Sequence, residues 1–222
     1  LLIIKPQTIN QAKFFNEYDN DSDSFILSGY PGTGKSFIAL YKALEEALEE
    51  KDTKVVIVRS AVPTRDLGHL PGDLNEKLEV YEQPYMSICS KLFKKADAYQ
   101  RLKEQKKIEF LSTSFLRSIT LDKSLIIFDE FQNAGLGELE TVATRVGNNS
   151  KLILCGDYLQ NDLKKANDAS GFLEFMNIAK YIPNTVHVEF NNVEDICRSG
   201  FVRDFIIAKI KSQNVSKSSI TA

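Results

Sequence analysis

Gly29, Gly34, Lys35 and Ser36 lie in the stretch GYPGTGKS and fit the pattern G-x-x-x-x-G-K-[ST]. Each residue type has work to do there. Glycine lets backbone N–H groups come close to phosphate oxygens and supplies positive φ. Lys35 is a mobile point charge for β- and γ-phosphates, and Ser36 offers a hydroxyl to Mg²⁺. Pro31, Gly32, Thr33 and Phe37 complete the candidate phosphate loop. A metal at such a site needs a second carboxylate, acting through water at the C-terminal end of a buried strand. The run SLIIFDEFQN supplies Asp129 there, in a Walker B pattern, followed at once by Glu130. Glu130 is placed to polarise an attacking water as general base. A solvated acidic turn is the plain alternative. The adjacent Asp-Glu pair favours hydrolysis over transfer to a small acceptor. In LILCGDYLQND, Asp157 and Gln160 again follow an apolar run. The Gln160 amide has the chemistry of a γ-phosphate sensor, against the alternative of a Gly-Asp turn with a capping Gln.

These residues need strand ends to carry them. Apolar strand candidates recur at 25–28, 55–58, 108–111, 125–128, 152–155 and 186–190, with helical periodicity between them. Near-continuous apolar strands alternating with helices predict an α/β fold, with a mostly parallel sheet and helices on both faces. A strand that turns sharply into a helix leaves that helix's first amides without partners, and with the helix dipole they favour an anion. The longest stretch without a strand, 71–107, reads as a helical insertion into a domain spanning 1–211, with Pro84 expected to begin one of its helices. The small, polar stretch 212–222 reads as a flexible tail.

Composition narrows the classes. The 222 residues are 43% hydrophobic and 26% charged, enough for a sizeable core. A net charge of −2 excludes a global basic field, so nucleic-acid binding would need a local patch. Cys89, Cys155 and Cys197 are scattered and form no C-x-x-C, which supports neither a zinc site nor a disulfide framework. A reducing, cytoplasmic setting fits, and no apolar run reaches the roughly 20 residues of a transmembrane span. The chain opens on Leu1 rather than Met, as expected of a trimmed chain or a piece of a longer product.

Taken with four longer blocks, these motifs resemble the PhoH-like family of P-loop ATPases. The blocks are VRSAVPTRDLGHLPGDLNEK, FLRSITLDKSLIIFDEFQNA, TRVGNNSKLILCGDYLQNDL and VEFNNVEDICRSGFV, and the likeness covers about 8–207. Ser60, Phe131 and Ser199-Gly200 depart from the family's usual Pro, Ala and His-Pro. None removes a catalytic group, and together they suggest a divergent, phage-type branch. No stretch resembles the PIN nuclease or KH-like segments of longer members.

The resemblance implies a single RecA-like core related to superfamily-1 helicases. It further implies ATP and Mg²⁺ as ligands, a homo-oligomer, often a hexameric ring, and links to RNA metabolism and phosphate starvation. Gln11 resembles the glutamine that reads adenine in related helicases, against the alternative of an exposed Gln beside an N-cap at Thr8 or Asn10. Arg198 matches the family's arginine and suits a γ-phosphate, in a neighbouring subunit's site if a ring forms, while a surface ion pair is the alternative. Arg203, Arg59 and Arg145 are weaker candidates, with braces of the fold as their plainer reading. The stretch 91–107 interleaves basic residues with Phe93 and Tyr99, as a nucleic-acid surface would, or as a solvated helix face would. His69 is no metal ligand on this showing, and His187 alternates within a strand as a structural residue. The expected function is Mg²⁺-dependent ATP hydrolysis driving work on RNA or single-stranded DNA. The alternatives are a nucleotide-controlled interaction module and a ribonuclease. One RecA-like core cannot move against a second within the same chain, so the helicase reading requires oligomers.

Overall fold

The computed structural model describes residues 1–20, 22–60, 74–157 and 166–218, with side chains described outside 74–78 and 166–170 and up to residue 212. All six expected strands are present: β1 (Ser24–Gly29), β2 (Lys54–Arg59), β3 (Ile108–Ser112), β4 (Ser124–Asp129), β5 (Lys151–Gly156) and β6 (Thr185–Phe190). They form one sheet in the order β3-β2-β4-β5-β1-β6, and every pairing is parallel. This is the RecA-like arrangement of a P-loop domain, with β5 inserted between the strand that leads into the phosphate loop and the strand that ends on Asp129.

The helices are α1 (Ile9–Asp19), α2 (Lys35–Glu49), α3 (Leu74–Phe93), α4 (Ala98–Glu104), α5 (Leu136–Ala143), α6 (Ala166–Ala179) and α7 (Gly200–Ser218). The strands look uniformly apolar in sequence because both of their faces are covered. Phe25, Leu27, Val55, Ile57, Ile127 and Ile153 point into one core with α1, α2, α3 and α4. The alternate residues Ile26, Val56, Val58, Ile126 and Leu154 point into a second core with α5 and α6. The period-2 alternation of a strand thus serves two apolar layers. The connection leaving β1 runs through α2 on one face, and that leaving β5 runs through α6 on the other. Where such connections diverge, the C-terminal ends of the strands frame a crevice.

The insertion between β2 and β3 is helical, as expected, but Pro84 lies inside α3 rather than at a helix start. Proline there removes one hydrogen bond and crowds the preceding turn, at a cost of about 3 kcal/mol. Burial of Tyr85, Cys89 and Leu92 along one stripe of α3 keeps the helix continuous. In the basic stretch Tyr99 offers no free face for stacking. Tyr99 is only 2% exposed and Phe93 packs against the same core. Several of its charges are already engaged: Arg101 with Asp97, Lys103 with Glu82, and Lys107 with the carbonyls of Ala47, Glu50, Lys51 and Thr53. Helix α7 continues to Ser218, into the stretch read as a tail. Among the described residues no helix is long and apolar enough to cross a membrane.

Candidate nucleotide site

The loop between β1 and α2 owes its shape to three positive-φ glycines: Gly29 at 127°, Gly32 at 74° and Gly34 at 83°. Gly34 is the N-cap of α2 and has no side chain to bond the first amides of the helix, so these remain open to an anion. Thr33 is buried and its hydroxyl donates to the Tyr30 carbonyl at 3.0 Å. The Lys35 ammonium curls back into the loop, donating to the carbonyls of Gly29 (3.1 Å) and Tyr30 (2.6 Å) and to the Thr33 hydroxyl (3.2 Å). Burial pulls its pKa below the ordinary lysine value, opposed by the negative charges of Asp157, Glu130 and Asp129. Pro31 and Phe37 line the same cleft.

Strand β4 delivers Asp129 opposite Ser36. The Ser36 hydroxyl donates to Asp129 Oδ1 at 2.7 Å, and the Tyr85 phenol donates to Oδ2 at 2.8 Å. Glu130 follows in the left-handed region, at φ 55°, and opens a 3-10 turn over Phe131–Asn133. That turn brings Gln132 back: its Nε2 donates to Glu130 Oε2 at 2.6 Å and its Oε1 accepts from the Asp157 N–H at 3.0 Å. The ends of β4 and β5 are therefore wired together through one buried amide. Gly156 makes room for it, since a Cβ there would come within 2.6 Å of both Gln132 Oε1 and the Phe131 ring. Desolvation raises the Glu130 pKa, repulsion from Asp129 adds to this, and the Gln132 bond opposes it.

Two segments from opposite ends of the chain clasp the loop. Gln11 on α1 donates from Nε2 to the Thr33 carbonyl at 2.9 Å and lies 3.1 Å from Cys197 Sγ, while its Oε1 accepts from the Gln7 N–H at 2.8 Å. From the far end, the Cys197 N–H donates to the Gly32 carbonyl at 2.9 Å. The ends are also joined directly, by Asn10 Nδ2 to Asp195 Oδ2 at 2.8 Å. Thr8 is the N-cap of α1, yet Gln11 is 4% exposed rather than open to solvent. Its amide braces the loop in this structure. Gln11→Ala is accordingly expected to weaken ATP and GTP binding by similar factors, about tenfold, the scale of one lost buried hydrogen-bonding group. Competition titrations with both nucleotides check this, and a loss confined to ATP would assign the amide to the base instead.

The cleft so formed measures about 660 Å³. Lys35, Ser36, Asp129, Glu130, Asp157 and Arg198 all line it, and Pro84, Ser87, Ile88 and Lys91 of α3 make the facing wall. Arg198 is exposed on the rim of its own chain's cleft, with its Cγ 2.9 Å from where a Cβ on Gly32 would stand. Gln160 and His69 lie outside the described residues, as does most of the block at 58–77. Arg203 donates to the Ile196 carbonyl at 2.9 Å, Arg59 lies 5.7 Å over the Tyr81 ring, and Arg145 donates to the Arg117 carbonyl at 3.3 Å. Each of the three thus has a partner within the fold, and the Arg59 charge also pulls the Glu130 pKa down. His187 Nε2 is 2.6 Å from the Ser28 hydroxyl, within the sheet. Sequence reasoning assigned no role to Gln132 or Tyr85. Gln132 was legible as part of the DEFQN run, whereas Tyr85 carried no local signal.

Mg²⁺ suits the donors present. Ser36 and Asp129 offer hard oxygens beside an anion-binding loop, and Mg²⁺ is commonly held by one or two carboxylates plus substrate phosphates. Among the described residues no cluster of three or more His, Cys, Asp or Glu could hold a metal ion.

Comparison with known proteins places these motifs in a wider group. The model of the family described as PhoH-like protein matches residues 3–209. A PhoH-like protein of Synechocystis sp. is 30% identical over 215 residues, covering 96% of this chain and 64% of its own length. One from Bacillus subtilis is 33% identical over 208 residues, covering 93% of this chain and 62% of its own. The chain thus spans about three-fifths of the length of these curated relatives. Among solved structures, the large terminase of a thermophilic bacteriophage aligns over 88% of this chain and 48% of its own, at 11% identity and a TM-score of 0.47.

Proposed function

We propose, since the chain belongs to the PhoH-like family, that it binds ATP with Mg²⁺ and hydrolyses it. The observation that carries this reading is the junction of loop and strand: Ser36 bonds Asp129 at 2.7 Å, while Glu130 is held beside them by Gln132 at 2.6 Å. A nucleophilic water beside Glu130 would lose a proton to that carboxylate as its oxygen bonds the γ-phosphorus. The bond from the γ-phosphorus to the bridging oxygen breaks, and ADP and phosphate leave. Lys35 exchanges its three loop oxygens for phosphate oxygens. The open amides of α2 hold the phosphates, and Asp129 with Ser36 would hold Mg²⁺, which supplies neutralisation of the phosphate charge. Arg198 contacts the γ-phosphate from the same chain, a reading supported by its place on the rim of its own cleft. Gln160 senses the γ-phosphate, as the spacing after β5 suggests.

The hydrolysis drives remodelling of RNA or single-stranded DNA by an oligomer, with a hexameric ring as its form. Two RecA-like units must move against each other in such a cycle, and a neighbouring copy supplies the second. The test is ATP turnover with and without single-stranded RNA and DNA at two salt concentrations. Stimulation by one polymer, lost in Lys35→Ala, is the expected result. Turnover indifferent to both polymers would overturn the motor and leave a nucleotide-controlled assembly module. Metal-dependent RNA cleavage that survives Lys35→Ala would point to a nuclease.

A further inference from the structure

We propose that Tyr85 is a positioning residue for the metal-side carboxylate, its phenol fixing Asp129 so that the opposite oxygen faces Ser36 and a bound Mg²⁺. This rests on the Mg²⁺-dependent reading of the same site. Tyr85 belongs to α3, in the insertion between β2 and β3, and to none of the nucleotide motifs. Its Oη donates to Asp129 Oδ2 at 2.8 Å while Oδ1 accepts from Ser36 at 2.7 Å. A carboxylate tied at both oxygens is restrained about its last torsion. It still has acceptor capacity for a further donor such as a metal-bound water, because each oxygen carries two lone pairs.

The phenol is itself held. Tyr85 is 1% exposed, and its ring packs on Phe110 of β3 with centroids 6.0 Å apart and planes at 40°. One turn earlier on α3, Glu82 accepts from Lys103 of α4 at 2.9 Å and 3.1 Å, which pins the helix to the rest of the insertion. Packing alone does not call for a hydroxyl here, since phenylalanine fills nearly the same volume. The hydroxyl's contribution is orientation of Asp129. Groups that orient metal ligands from one shell further out are commonly worth roughly 10–100-fold in metal affinity.

The experiment compares Tyr85→Phe with the unaltered protein by titrating Mg²⁺ against the binding of a fluorescent N-methylanthraniloyl ATP. Metal-free nucleotide affinity and the thermal midpoint are measured alongside. Expected is a rise of about tenfold in the Mg²⁺ concentration that gives half of the metal-dependent gain, with metal-free affinity unchanged. Mn²⁺ binding followed by electron paramagnetic resonance should weaken in parallel. Phe110→Leu disturbs the same packing without touching Asp129 and should leave the Mg²⁺ midpoint in place. A Tyr85→Phe midpoint equal to that of the unaltered protein overturns the assignment, as does an equal shift in Phe110→Leu, which would mark the effect as packing. If the unaltered protein binds nucleotide without regard to Mg²⁺, the Mg²⁺-dependent reading fails and this assignment falls with it.

Discussion

Gly29→Ala is expected to destabilise the fold by about 4 kcal/mol or more, at the far end of what single substitutions do. Two independent obstacles stand in the way of the added methyl. The φ of Gly29 is 127°, a region closed to residues that carry a Cβ. The Cβ would also meet the backbone of Phe190, at 2.6 Å from its carbonyl carbon and 2.8 Å from its nitrogen, with the carbonyl oxygen nearer still. Backbone in a paired strand cannot move aside as the end of a flexible side chain could. Gly29 pairs with Phe190 in the β1–β6 register, and the Tyr30 N–H donates to the Phe190 carbonyl at 2.8 Å. Relief therefore means unpairing the edge of the sheet under the phosphate loop. Gly137→Ala is the control, because a Cβ there meets nothing within 4 Å and the residue lies in α5. It should leave stability at or slightly above that of the unaltered protein. Urea midpoints of the two variants measure the contrast, and equal midpoints would refute the clash.

The second large effect concerns Glu130. Glu130→Gln should lower ATP turnover by a factor of about 10²–10⁴ while nucleotide binding persists. The substitution keeps length and shape, so the 3-10 turn and the oxygen facing Gln132 can survive, but a neutral amide cannot take a proton from water. Single-turnover hydrolysis alongside equilibrium binding separates the two properties. Turnover within tenfold of the unaltered protein would remove Glu130 from the role of base.

What could be read from the chain beforehand follows from where each determinant is stored. The strands were legible because their burial on both faces writes itself into consecutive residues, as in Phe25-Ile26-Leu27 or Leu125-Ile126-Ile127. The phosphate loop and the Asp129-Glu130 pair were legible because they act as contiguous backbone and side chains at a strand end. Pro84 was misread because its local preference competes with burial along a whole helix, which a dipeptide does not reveal. The aromatic residues of the basic stretch left two readings open for a related reason. Ala98, Tyr99 and Leu102 form one buried stripe of α4, so Tyr99 faces the core while the charges around it face outward. Tyr85 was beyond reach because the bond to Asp129 joins residues 44 positions apart, and nothing near either end advertises the other.

The clasp on the phosphate loop also has a consequence for order in time. The motif is complete in the nascent chain once Ser36 has been made, but its shape depends on groups that come much later. Gly32 waits for the Cys197 amide, and Asn10 waits for Asp195. At the usual pace of about 5–20 residues per second, many seconds of synthesis separate the two. Until then Gln11 holds the loop from one side only, although β5 and β6, made earlier, can already lie beside β1. A ribosome-bound fragment that stops short of residue 195 therefore carries the whole signature motif and lacks the C-terminal half of the clasp on it. Nucleotide capture by a nascent chain would report that nearly all of this domain has emerged and closed on itself.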